Sequence, residues 1–381
     1  MIEIASSATT REIAQQPEVW PRIAALVARE RTALDGFLAP LLGKPELRIV
    51  LSGAGTSSFI GACLAPALSH HLQRHVDPVA TTDLVSGPQL HLQRGVPALL
   101  VSFARSGNSP ESVAAIDLAE QALVDAHHLV ITCDPEGALA KRASSLRNAC
   151  LLVLPDETND RGFAMTSSFT SMLLAASLTF GVLTPDIVPR LAAAAAAVMT
   201  PAQALALRLA RQRFERVVYL GSNELRALAA EAALKMLELT DGRTVAMSES
   251  VLGFRHGPKT VVNDRTAIVV LLSNDPYTRA YDYDLLRELR RDARAGVIVA
   301  LGARGEDLGD IERLEFTGMD GASDLEIALL DVVFAQVLAL RQSLEFGLVP
   351  DRPNVAGVVN RVVQGVRIHR WQEDRADVSR R

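Results

Sequence analysis

Three ionisable side chains, Glu231, Lys235 and Glu238, recur at the spacing of one helix face. The stretch from Asn223 to about Leu239 has helical periodicity, and residues at i, i+4 and i+7 stack on such a helix. Leu234, Met236, Leu237 and Leu239 are apolar, and Ala229, Ala230, Ala232 and Ala233 are small, so the row reads as partly buried. A carboxylate held there beside an ammonium can take a proton from carbon and return it. The same spacing also fits a solvated face. Downstream, His256 precedes Gly257-Pro258, a turn that either fixes the direction of an imidazole or merely ends a loop on it.

Two hydroxyl clusters complete the candidates. Ala98-Leu-Leu-Val101 predicts a buried strand and Ser112 to Val124 a helix. Between them Ser102, Ser106, Gly107, Ser109 and Ser112 converge, with no lysine. Hydroxyls and free N–H groups at a helix N-terminus hold a phosphate monoester well. The alternative is a capped turn, with Ser109 as N-cap and Pro110 at the first helical position. In Gly162 to Thr170, the hydroxyls of Thr166, Ser167 and Ser168 either reach a sugar or cap a helix that begins near Phe169.

Strands must carry these loops. Ile49-Val-Leu-Ser52 and Val217-Val-Tyr-Leu220 are offset by 168 residues, as are Leu129-Val-Ile-Thr132 and Val297-Ile-Val-Ala300. Leu99-Leu-Val-Ser102 and Val270-Leu-Leu-Ser273 are offset by 171. Near-constant offsets point to one unit used twice. Apolar strands alternating with helical stretches predict parallel sheets covered by helices. Neither Gly53-Ala-Gly-Thr nor Gly221-Ser-Asn completes a dinucleotide fingerprint. Ligands in such sheets bind beyond the strand C-termini, where the Ser-rich loops fall. A connecting helix is expected over about Ala192–Arg213, and a helix start at Trp20-Pro21. The tail after Gly347 reads as ordered, because Val355–Ile368 is apolar.

The chain has 381 residues, 49% of them hydrophobic, and a net charge of −5. That is enough for two cores, and the absence of a basic cluster speaks against nucleic-acid or membrane-surface partners. Cys63, Cys133 and Cys150 read as reduced core thiols. Met1-Ile-Glu-Ile lacks the basic then apolar pattern of a leader, and the apolar run Met172–Leu183 is too short to span a bilayer. A cytoplasmic protein is expected. No cluster has zinc-like spacing. Only Lys44, Lys141, Lys235 and Lys259 are lysines among 39 basic residues, which draws attention to Lys235 and Lys259.

Together these segments resemble the SIS (sugar isomerase) family over most of the chain. Gly55-Thr-Ser57, Ser106-Gly-Asn-Ser109, and Glu231-x-x-x-Lys235-x-x-Glu238 followed by His256-Gly-Pro258 carry the resemblance. Chains with this third element are similar to the isomerase half of glucosamine-6-phosphate synthase and to related deaminases. Ser-Phe-Ala-Arg-Ser-Gly-Asn-Ser-Pro-Glu-Ser, Phe-Arg-His-Gly-Pro-Lys and the tail Val359-Asn-Arg-Val-Val-x-Gly-Val366 resemble the AgaS group. Its members are described as galactosamine-6-phosphate deaminase/isomerases or tagatose-6-phosphate ketose/aldose isomerases.

The resemblance implies an α/β fold of two tandem Rossmann-like SIS domains. N-terminal helices would cover 1–44, a phosphosugar-binding domain 45–195, a second domain 196–346 and a tail 347–381. It implies that Ser57, Ser106 and Ser109 hold the phosphate with Arg105 nearby, and that Thr166, Ser167, Ser168 and Glu231 lie near the sugar. Glu238 would move a proton between C1 and C2, supported by Lys235. His256 would open the sugar ring from the neighbouring subunit, hence a homodimer with a shared site. No cofactor or metal is implied. The synthase's glutaminase domain has no counterpart here, and Asn354-Val-Ala-Gly357 offers no lysine for its Schiff base. Release of ammonia from galactosamine 6-phosphate, giving tagatose 6-phosphate, is therefore the expected reaction. Glucosamine 6-phosphate as substrate, isomerisation without deamination, and a non-enzymatic sugar-phosphate sensor are the alternatives.

Overall fold

The computed structural model describes residues 7–303, 305, 306, 308–363 and 365–372. The start Met1-Ile-Glu-Ile, on which the expectation about a leader rests, lies outside them.

Two helices come first, α1 (Ala8–Ala14) and α2 (Gln16–Leu42). The helix start expected at Trp20-Pro21 is four residues earlier. Pro17 occupies the first turn, where its missing N–H costs nothing, and Pro21 sits inside the helix. Trp20 is fully buried and its indole N–H donates to Thr170 Oγ1 at 3.2 Å.

The first sheet follows. Its elements are β1 (Arg48–Ser52), α3 (Thr56–Leu72), β2 (Val76–Pro78), α4 (Thr81–Ser86), α5 (Pro88–His91), β3 (Ala98–Ala104), α6 (Pro110–Ala122), β4 (Ala126–Thr132), α7 (Ala138–Ser144) and β5 (Ala149–Val153). The strands are parallel in the order β2-β1-β3-β4-β5. Every residue of β3 is buried, as a central strand covered on both faces requires. Helices α8 (Ser167–Thr179) and α9 (Val188–Ala210) lead to the second sheet. It contains β6 (Arg216–Leu220), α10 (Glu224–Leu239), β7 (Val245–Glu249), β8 (Thr266–Leu271), α11 (Pro276–Asp292), β9 (Val297–Gly302) and β10 (Glu312–Glu315), and α12 (Asp324–Glu345) closes the fold.

The second sheet is parallel with the order β7-β6-β8-β9-β10, which is the order of the first. The backbone repeats at the same 168-residue step. Gly55 and Asn223 share one unusual conformation, φ 55 ψ −128 and φ 52 ψ −120. Gly53 and Gly221 both press against the start of the following helix. A Cβ on Gly53 would stand 2.5 Å from the Ser57 backbone, and one on Gly221 would stand 2.4 Å from that of Leu225. These tight strand-to-helix turns admit only glycine.

One apolar cluster joins the halves. Ile49, Leu51, Leu99 and Val101 of the first sheet and Val217, Tyr219, Val269 and Leu301 of the second face residues of α2, α8, α9, α10 and α12. The outer faces have separate clusters, under α6 in the first half and α11 in the second. Helices α9 and α12 are long and apolar enough to cross a membrane by composition. Helix α12 is almost wholly buried between the halves, as a core helix. The tail follows a defined course over the first half. It does so with its valines outward, Val355 and Val358 being 87% and 80% exposed. The order expected from apolar burial comes instead from polar anchors, described below.

Candidate active site

The loops after β1 and β3 meet at the point where the strand order reverses, the usual ligand site of such sheets. They enclose a cavity of about 210 Å³. Ser57 of α3, Ser106 and Ser109 of the β3 loop, and Ser112 of α6 line it. Two helix N-termini therefore border one cavity, and both favour an anion. Ser109 is the N-cap and Pro110 the first helical residue of α6. The Ser109 hydroxyl meets that of Ser112 at 2.6 Å and makes no capping bond, so it remains available at the cavity wall.

Glu238 lines the same cavity. Helix α10 packs along α3, and this contact between the halves builds the site. Lys235 is wholly buried. Its Nζ donates to Glu238 Oε2 at 2.5 Å and to Thr56 Oγ1 at 2.8 Å, with Glu231 Oε1 at 3.4 Å. The predicted row on one helix face is thus an acid–base–acid cluster, buried at Glu231 and Lys235 and partly open at Glu238, and closed by a threonine from the first half. Burial raises the Glu231 carboxyl to about 8, with the Lys235 ammonium working the other way. Burial alone would lower the Lys235 ammonium, but the two glutamates outweigh it and hold it above its ordinary value. The cluster thus holds the Lys235 ammonium against Glu238, with Glu231 as the second carboxyl on the same ammonium.

Of the other predicted residues, Arg105 lines the cavity and Thr166, Ser167, Ser168 and His256 do not. The Arg105 guanidinium donates to the carbonyls of Gly162 and Phe163 at 3.3 Å and of Arg361 at 2.8 Å. Burial and the nearby Arg361 lower it to about 10. Arg105 therefore ties the phosphate-type loop to the 162–163 segment and to the tail. Thr166, Ser167 and Ser168 are fully buried. Asp160 accepts from the N–H of Thr166 at 2.7 Å and from the N–H and Oγ of Ser168 at 2.9 and 2.5 Å. Their segment meets the cavity through Phe163 and Met165. His256 is exposed on a turn after β7 and is not among the residues lining the cavity.

Sequence reasoning missed Thr56 and the tail. Val359 to Val363 form one side of the cavity. Arg361 anchors them on Asn159 Oδ1 at 3.2 Å and the Asp160 carbonyl, and Asn354 holds Asp241 at 2.7 Å. Asp351 caps α1, accepting from the N–H groups of Ala8 and Thr9 at 2.8 Å. The apolar content of the tail hid these polar anchors.

The equivalent turn of the second half is filled from within. Asp324 accepts from the Ser273 hydroxyl at 2.5 Å and the Asn274 N–H at 2.6 Å. Asp282 accepts from the Ser273 N–H at 2.9 Å. Ser273 itself lies beyond β8, which ends at Leu271.

Comparison with known proteins fits this arrangement. Residues 41–181 match the model of the SIS domain. An AgaS protein of Streptomyces coelicolor is 50% identical over 365 residues, 95% of each chain. The D-galactosamine-6-phosphate deaminase AgaS of Escherichia coli is 45% identical over 371 residues, 96% of each chain. The crystal structure of tagatose-6-phosphate ketose/aldose isomerase from Escherichia coli superposes with a TM-score of 0.90 at 42% identity, covering 97% of this chain and 98% of that one. A cavity bordered by two helix N-termini and a buried glutamate–lysine pair, together with these full-length matches, places the chain in the AgaS group of the SIS-domain family.

Proposed function

We propose that this protein deaminates and isomerises galactosamine 6-phosphate to tagatose 6-phosphate and ammonia. The observation that carries this is the cavity itself, which is lined by hydroxyls at two helix N-termini and by the Glu238 carboxylate. The names of the relatives, a galactosamine-6-phosphate deaminase and a tagatose-6-phosphate isomerase, support the substrate pair. Ser57, Ser106 and Ser109 hold the phosphate. His256, supplied by a second copy of the chain, opens the ring. Its exposure in one protomer suits a homodimer with a shared site.

Glu238 then removes the C2 proton and returns it to C1, passing through an enolamine to a ketimine. Lys235 stays charged beside it and steadies the carboxylate through the transfer. Water hydrolyses the ketimine to the ketose and ammonia. Glu231 and Thr56 keep the lysine in place. Thr166, Ser167 and Ser168 act on the sugar side through the backbone that Asp160 fixes, and Arg105 acts by holding the tail. The three free thiols suit a reducing cytoplasm. The isomerase name of the structural relative favours one second reading, the same proton transfer on a sugar without an amine.

The test is ammonium release from purified protein given galactosamine 6-phosphate, with glucosamine 6-phosphate and tagatose 6-phosphate in parallel. Rapid ammonium from the galacto compound is expected, and none from either amine would leave the isomerase. Glu238→Gln, folded by melting temperature, should lose about 10²- to 10⁴-fold in kcat. Near-normal turnover would remove Glu238 as the base.

A further inference from the structure

We propose that Glu288, with Asp292 beside it on α11, positions His256 for ring opening. The inference rests on the role given to His256 above. The residue immediately before the histidine and the lysine three after it converge on one carboxylate. Arg255 Nε meets Glu288 Oε2 at 2.7 Å, and Lys259 Nζ is paired with both Glu288 and Asp292. Glu288 and Asp292 are four residues apart and share one face of α11. The His256 turn is thus clamped on both sides to a single helix.

The clamp has an apolar base. Phe254 is fully buried and packs with Leu285, Leu286 and Leu289 of α11. The backbone between the two clamped cations is also fixed. The His256 N–H donates to the Gly253 carbonyl at 2.9 Å, and Gly257 has φ +122, a region closed to side-chain-bearing residues. With turn and anchors set, the Cα–Cβ bond of His256 has one direction, and its exposed ring turns only about its own side-chain bonds.

Charge chemistry explains why a lysine is kept here, in a chain that otherwise prefers arginine. A compact ammonium can sit between two carboxylates, whereas a planar guanidinium is committed to one fork. Burial would lower the Lys259 ammonium, but Asp292 and Glu288 outweigh it and hold it above its ordinary value. Lys259 and Arg255 in turn hold the Glu288 carboxyl below the usual range. Arg255, Lys259 and Glu288 are about a quarter exposed and Asp292 about a third, so single pairs of this kind contribute little stability. A four-charge cluster spent on one short turn is better explained by what the turn carries.

The experiment uses the full-length chain and reads kcat, KM and melting temperature for ammonium release from galactosamine 6-phosphate. Glu288→Gln is expected to lower kcat about 10- to 100-fold, with KM and melting temperature nearly unchanged and partial rescue in Glu288→Asp. In a His256→Ala background the same change should cost nothing more, because the group it positions is gone. If Glu288→Gln does not fold, Lys259→Met takes its place in the cycle, with the same expectation. Wild-type kcat in the single variant, or a loss that multiplies that of His256→Ala, overturns the positioning role alone. A silent His256→Ala overturns the role of the histidine itself, and the inference with it.

Discussion

Lys235 has no water to turn to, so each of its neighbours matters. It is wholly buried and its ammonium is shared among Glu238, Thr56 and Glu231. Thr56→Val keeps the shape and removes one acceptor. We expect a loss of about 1–3 kcal/mol in stability, from a buried donor left short of a partner. A several-fold fall in kcat should accompany it, checked by denaturant unfolding and steady-state kinetics. The acid–base–acid row was legible in the sequence because helix geometry alone places those residues on one face. Its burial was legible from the small and apolar neighbours. Thr56 was not legible, because it comes from 179 residues away. No local pattern marks a residue whose role is set by helix α3 packing along α10. Arg105 shows the same limit. Its place in the loop puts it at the cavity wall, where the structure has it, but nothing local foretold its partners, three carbonyls from two distant segments.

At the scale of elements, the turn into α6 followed from Ser109 and Pro110, and the helix begins where their chemistry requires. The start of α2 did not follow from Trp20-Pro21, because Pro17 offered an equally good first turn nearer the N-terminus. The described residues of the tail are held by polar contacts rather than by the apolar residues on which its expected order rested. Its anchors are Asp351, Asn354 and Arg361, and its valines remain outside. A chain ended after Pro353 keeps the Asp351 cap on α1 and loses the strand of backbone over the cavity. It should fold, with a melting temperature within a few degrees of the full chain. Its KM should rise about tenfold or more, the equivalent of one charge-assisted hydrogen bond or so. Unchanged KM would mean that residues 354–363 only neighbour the site.

At the scale of the whole molecule, several carboxyls are buried in the folded chain. Burial raises Glu12 to about 7, Glu231 to about 8 and Asp282 to about 7. In the unfolded chain they lose their protons near pH 4 to 4.5. The folded state keeps those protons longer, so its advantage is full below that range and is lost as pH rises through 7 to 8. Each group contributes a slope of up to about 1.4 kcal/mol per pH unit in between. The groups held below their usual range, Glu120, Asp125 and Glu157 among them, act only in acid and do not oppose this. Melting temperature should therefore fall from pH 6 to pH 9, and Asp282→Asn should flatten the fall. At this scale the sequence was most readable. The near-constant offsets of paired strands foretold two sheets of one topology, although the pair set at 171 is out of register, Leu99 corresponding to Ala267 at 168. How the halves would share a core was not readable, because α9 and α12 look alike in composition while only α12 is enclosed.

The two carboxylates seated in the second half's turn change what that half can be. Asp324 and Asp282 satisfy the same kind of hydroxyl and N–H groups that the first half leaves open. In binding terms Asp324 is a tethered competitor, present at an effective concentration that a free metabolite does not reach. The second half's turn therefore carries its own carboxylates as internal partners of its hydroxyl and N–H groups. That half serves as the frame from which α10 brings Glu238 to the cavity of the first half.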